Sequence, residues 1–183
     1  KTQISSQTLF SEALMSMSRR GPDDHRIENL GPVVLGHNRL AVIDVDQGQQ
    51  PMSTADGRYW IVFNGEIINA PLLRKELEAE GAVFRTHHSD TEVLLHLYER
   101  YGENMLSRLN GMFAFAIWDP ENEELFVARD RLGIKPLVYY SRDGCFACAS
   151  DLRALQQFPK FSSSLCPRAL RHFLTFGYVS APR

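Results

Sequence analysis

What the sequence lacks narrows its class. Among 183 residues there are three cysteines, an odd number and too few for a disulfide scaffold, so the expected setting is a reducing cytoplasm. It lacks an excess of either charge. Its 20 Lys+Arg against 22 Asp+Glu leave a formal −2, where an electrostatic nucleic-acid binder carries a basic surplus. It has no apolar run of roughly 18 residues to cross a bilayer, and the opening KTQISSQTLF is not the apolar stretch of a signal peptide. No internal repeat of roughly 20–50 residues appears, which excludes solenoids and propellers. What remains, 44% hydrophobic and 23% charged, is the composition of an ordinary folded domain with one full core.

Periodicity predicts the elements. Leu9, Phe10, Ala13, Leu14 and Met17 share a helical face over 7–19 before GPDD breaks it. PVVLGH (32–37), LAVIDV (40–45) and YWIVFN (59–64) read as strands. Helical spacing returns at 70–80, stopped by Gly81. It returns again after Ser89, whose spacing to Glu92 suggests a capping box ahead of a helix that Gly102 ends. From 112 onward MFAFAIWD, LFVARD, PLVYYS and CFACAS alternate with short turns, a pattern for an antiparallel meander. A last helical stretch covers 167–175. Helices between two groups of strands predict an α+β fold of packed sheets with helices outside.

Each candidate functional residue has a plain reading beside the chemical one. Asn64-Gly65, in FNGEI, is a common tight-turn dipeptide. It can equally aim a side-chain amide and a backbone N–H at one oxygen, as an oxyanion hole does. Ser89 and Asp90 suit a helix start, and Asp90 can also meet a ligand ammonium. Arg39 reads as a surface residue or as a planar fork for a carboxylate. His87-His88 are adjacent and have no further ligand at metal spacing. Cys145-x-x-Cys148 falls inside an expected strand, where residues three apart face opposite ways, so buried or half-buried thiols are expected rather than a redox pair. Together Arg39, Asn64, Gly65, Glu66 and Asp90 complement a free α-amino acid with a reactive side-chain carbonyl, and glutamine fits that description.

These motifs also carry a resemblance. RRGPDD (19–24), GHNRLAVID (36–44), QQPM (49–52), FNGEI (63–67), SDTEVLLHLYE (89–99), LNGMFAFAIWD (109–119), RDRLGIKPL (129–137), ASDLRAL (149–155) and FLTFGYVSAPR (173–183) stand in one order. The series resembles the glutaminase domain of the asparagine synthetase family, class II (N-terminal nucleophile) glutamine amidotransferases. The resemblance implies a four-layer αββα sandwich of two antiparallel sheets. By position it implies that Arg39 binds the glutamine carboxylate with backbone help from Val42 and Ile43. It further implies that Asn64 and Gly65 form the oxyanion hole, and that Glu66 and Asp90 hold the amino group. Arg129 and Asp130 are expected to be structural.

The family's nucleophile is a cysteine at the mature N-terminus whose own α-amine is the base, a group with a pKa of roughly 7.7–8. This sequence opens with Lys1, so a segment carrying that cysteine is expected ahead of it. Cys145, Cys148 and Cys166 are expected to lie away from the FNGEI site. The sequence departs from the family at Arg19 (usually His), Ile68 and Val138 (usually Tyr) and Asp151 (usually Glu). No loop for ATP pyrophosphate appears. The expected division is a glutaminase domain over 1–160, with 161–183 closing it and leading to a C-terminal synthetase domain. ATP and magnesium are expected there, and no metal or cofactor in this half. The expected partners are L-glutamine, the synthetase domain and a possible second copy. The alternative is a domain that keeps the fold as a non-catalytic interaction module.

Overall fold

A computed structural model describes residues 6–41, 48–158, 161 and 164–179. Its element order is α1 (Ser6–Ser16), β1 (Asp24–Asn29), β2 (Val34–Arg39), β3 (Met52–Ser53), β4 (Trp60–Ile67), α2 (Ala70–Ala79), α3 (Asp90–Tyr101), β5 (Gly111–Asp119), β6 (Glu124–Arg129), β7 (Val138–Arg142), β8 (Cys145–Ala149), α4 (Leu152–Leu155) and α5 (Pro167–Phe176). Every strand pairing is antiparallel.

One sheet has the order β3-β4-β5-β6. Alternation along its strands separates two faces. Ile61, Phe63 and Ile67 of β4, with Phe113, Phe115 and Ile117 of β5, join Leu73 and Leu77 of α2 and Val93, Leu94 and Leu97 of α3 in the core. The opposite faces of β4 and β5 carry Val62, Asn64, Glu66, Ala114 and Ala116, all of which line a cavity. Beyond that cavity lie two separate two-stranded sheets, β1-β2 and β7-β8. They are covered on the outside by α1, which lies on β2, and by α4, which lies on β7 and β8. The layers therefore run helix, sheet, sheet, helix, the expected α+β sandwich.

Several local expectations need correction. Asn64-Gly65 is no turn: both residues lie within β4, opposite Ala114 and Phe113, because β5 supplies a ladder partner through Ile67. A Cβ at position 65 would stand 2.2 Å from the Met112 carbonyl oxygen, so the close approach of β5 requires the glycine. The capping box is not formed. Ser89 makes no side-chain cap bond, and the Glu92 carboxylate instead accepts from the N–H groups of Arg85 and Thr86 and from the Thr86 hydroxyl. β1 was invisible to hydrophobic pattern because DHRIEN is mostly polar. Of the expected strand 40–45, Leu40 and Ala41 are irregular and the rest lies outside the described residues. The expected strand CFACAS, by contrast, is β8.

Candidate active site

The cavity between the sheets has a volume of about 390 Å³, and Arg39, Asn64, Gly65, Glu66 and Asp90 all line it. Three elements bring them together. Arg39 ends β2 and is buried. Asn64, Gly65 and Glu66 are consecutive in β4. Asp90 opens α3 and is 7% exposed. Val42 and Ile43 lie outside the described residues.

Ladder geometry explains why this stretch of β4 can meet a ligand. An antiparallel strand turns both backbone groups of alternate residues to the same side. The even-numbered residues of β4 turn theirs to β5, a parity continued where Ile68 N–H donates to Asn110 O at 2.9 Å. The odd-numbered ones face the other edge, which β3 covers only as far as Ile61. Beyond it, side chains substitute for a strand. Phe63 N–H donates to Gln50 Oε1 at 2.6 Å and Ile67 N–H to Asp90 Oδ2 at 3.1 Å. Gly65 lies between them, its N–H on the same edge of the strand, and it lines the cavity together with Asn64.

Charge is arranged to match. Burial raises the Asp90 carboxyl above its ordinary value, and the nearby Glu66 charge raises it further, against N–H donors from Ile67, Asp90 itself and Thr91. Glu66 and Asp90 thus stand together at the cavity, where a cation beside the Asp90 carboxylate would offset its desolvation. His37, on β2, donates from Nε2 to Phe63 O at 3.1 Å. Burial lowers its pKa from 6.5 to about 4, with the Phe63 carbonyl and Asp24 opposing and Arg39 assisting, so it is neutral near pH 7.

Cys148 corrects another expectation: it lines the same cavity as Asn64 and Asp90. Burial pushes its thiol up to about 11, which leaves almost no thiolate near neutrality and makes it a poor nucleophile. Arg129 and Asp130 knit the 129–135 loop. Arg129 donates to the carbonyls of Gly133 and Lys135, and Asp130 accepts from the N–H groups of Phe113, Ile134 and Lys135. Asp151 caps α4 by accepting from Arg153 N–H. Ile68 is 64% exposed and is absent from the cavity wall.

A family model described as "Glutamine amidotransferase domain" matches residues 1–183. The chain belongs to this family. It is 42% identical over 169 residues to asparagine synthetase [glutamine-hydrolyzing] 3 of Bacillus subtilis, covering 91% of this chain and 27% of that protein. It is 41% identical over 176 residues to asparagine synthetase [glutamine-hydrolyzing] 1 of the same organism, covering 96% and 28%. Among solved structures, the glutamine phosphoribosylpyrophosphate amidotransferase from B. subtilis matches with a TM-score of 0.57 and 34% identity, over 67% of this chain and 28% of that one. The chain spans about a quarter of the length of the curated relatives it matches. It is thus a glutamine amidotransferase domain of the asparagine synthetase type. Sequence reasoning quoted GHNR and QQPM but missed the parts His37 and Gln50 play within this amidotransferase fold. Their signal was polar residues of those runs falling beside the FNGEI strand.

Proposed function

We propose that this domain hydrolyses glutamine and releases ammonia for an ATP-dependent amidation by a synthetase domain that follows it in the same polypeptide. The observation that carries the reading is the combination along one wall of the cavity. Two donors for an oxyanion, Asn64 and Gly65, are flanked by two carboxylates, Glu66 and Asp90, and faced by Arg39. A glutamine held by its carboxylate at Arg39 and its ammonium at Glu66 and Asp90 presents its side-chain amide to the donors. The nucleophile in this reading is a cysteine at the processed N-terminus, ahead of Lys1.

Its sulfur attacks the amide carbon, the thiol proton passes to the α-amine, and the carbonyl π electrons move onto oxygen. Asn64 and Gly65 stabilise that oxyanion. When the carbonyl re-forms, the C–N bond breaks and the nitrogen takes the proton from the amine to leave as ammonia. Water then cleaves the thioester to glutamate and regenerates the thiol. Removing one oxyanion donor typically costs ~2.7–4 kcal/mol of barrier. Asn64→Ala in the full polypeptide should therefore lower glutamine turnover at least about tenfold while thermal unfolding is little changed. Undiminished turnover removes Asn64 from this role.

A further inference from the structure

We propose that His37 and Gln50 are positioning residues for the oxyanion site, clamping both backbone groups of Phe63 so that the Asn64 amide and the Gly65 N–H keep one orientation. The need arises from the ladder. β3 stops opposite Ile61, so the next pair of backbone groups on that edge, those of Phe63, has no strand to receive it among the described residues. Gln50 Oε1 accepts from the Phe63 N–H at 2.6 Å, and His37 Nε2 lies 3.1 Å from the Phe63 carbonyl oxygen. The residue immediately before Asn64 is thus held from both sides by side chains reaching from elsewhere in the fold.

Each clamp is itself anchored. Gln50 Nε2 donates to Thr91 Oγ1 at 3.2 Å, one residue after Asp90, and so ties the oxyanion strand to the helix start that carries the ammonium subsite. His37 belongs to β2, in the opposite sheet, two residues before Arg39. It therefore ties the same strand to the element that carries the carboxylate fork. Because a carbonyl can only accept, Nε2 must bear the hydrogen. His37 is then the Nε2–H tautomer, and its Nδ1 is a buried acceptor with no partner among the described residues. That arrangement suits a fixed tether and not a proton carrier, since Nε2 is committed to a peptide oxygen. The two side chains connect the three subsites through one residue.

The kinetic half of this inference rests on the glutaminase reading, so the test has a second readout. His37→Leu and Gln50→Leu remove the donor and the acceptor at similar volume. His37→Gln keeps an amide N–H near the Nε2 position, and Gln50→Glu keeps the acceptor while the Thr91 hydroxyl turns to donate. Glutamine hydrolysis is measured on the full polypeptide, and amide hydrogen exchange on residues 63–66. Both leucine variants should lower kcat roughly tenfold or more with KM changed less than about twofold, as misplacement of a transition-state donor does. Exchange at 63–66 should quicken in parallel, and both conservative variants should recover most of kcat and protection. Leucine variants with unaltered exchange and kcat, or conservative variants as impaired as the leucine ones, overturn the clamp. If the unmodified protein hydrolyses no glutamine, the glutaminase reading fails, and the exchange result alone then upholds or overturns the clamp.

Discussion

Asp90 combines a structural hydrogen bond with a buried charge, and the two are separable. Its Oδ2 accepts from Ile67 N–H, a bond that an asparagine carbonyl also makes, whereas its negative charge is desolvated and stands near Glu66. Because the fold raises its pKa, ionisation is disfavoured relative to the unfolded chain, and that cost is present once pH exceeds the raised value. Asp90→Asn should therefore gain stability relative to the parent as pH rises from 3.5 to 7, read as a growing difference in Tm. The same variant should raise KM for glutamine more than it lowers kcat. A fall confined to kcat contradicts the ammonium contact.

His37 has the opposite pH signature. The unfolded chain takes up a proton near 6.5, and the folded one refuses it until about 4. Stability should thus be flat above pH 6.5 and decline by about 3 kcal/mol on acidification to pH 4. His37→Gln should remove most of that slope in urea unfolding, and an unaltered slope would mean that His37 is not the buried group responsible.

At the scale of elements, the strands and helices were legible where at least one face is apolar. The 112–119 run became β5 because it is an almost unbroken apolar stretch, buried on both faces, and 70–80 became α2 because its spacing separates a buried face from an exposed one. Pattern failed where polar side chains replace a partner. FNGEI looked like the end of a strand because Asn-Gly is a common turn dipeptide; β5 instead pairs it through Ile67, and on its other edge Gln50 and Asp90 side chains stand in for a strand, which no periodicity reveals. The same holds for Glu92, expected as half of a capping box. Burial pushes its carboxyl up, but the bonds from the Thr86 hydroxyl and the N–H groups of Arg85 and Thr86 outweigh this and hold it below its ordinary value. It pins the 85–86 segment to the first turn of α3, directly ahead of Asp90. Glu92→Ala leaves those donors without their acceptor and should cost about 3 kcal/mol in denaturant unfolding. A loss under about 1 kcal/mol would show that water replaces the carboxylate there.

For the whole molecule, the sandwich converts three distant sequence runs into one site. Arg39 comes from the sheet beneath α1, Asn64 to Glu66 from the sheet beneath α3, and Asp90 from α3 itself. Ala114 and Ala116 face the cavity while Phe113, Phe115 and Ile117 fill the core on the other side of the same strand. The alternation of small and large residues in β5 thus keeps the space between the sheets open. The order of motifs made the family readable in advance, but it carried no information on Cys148, whose placement in the cavity depends on β8 lying in a separate sheet that lines the same space as β4.

Cys148 makes the most direct test a labelling experiment. The full polypeptide is incubated with a diazo-ketone analogue of glutamine, and the adduct is located by mass spectrometry, with and without excess glutamine. The account predicts one adduct, on a cysteine at the processed N-terminus, suppressed by glutamine and slowed in Arg39→Ala and Asp90→Asn. An adduct on Cys148, or none on any cysteine, would contradict it.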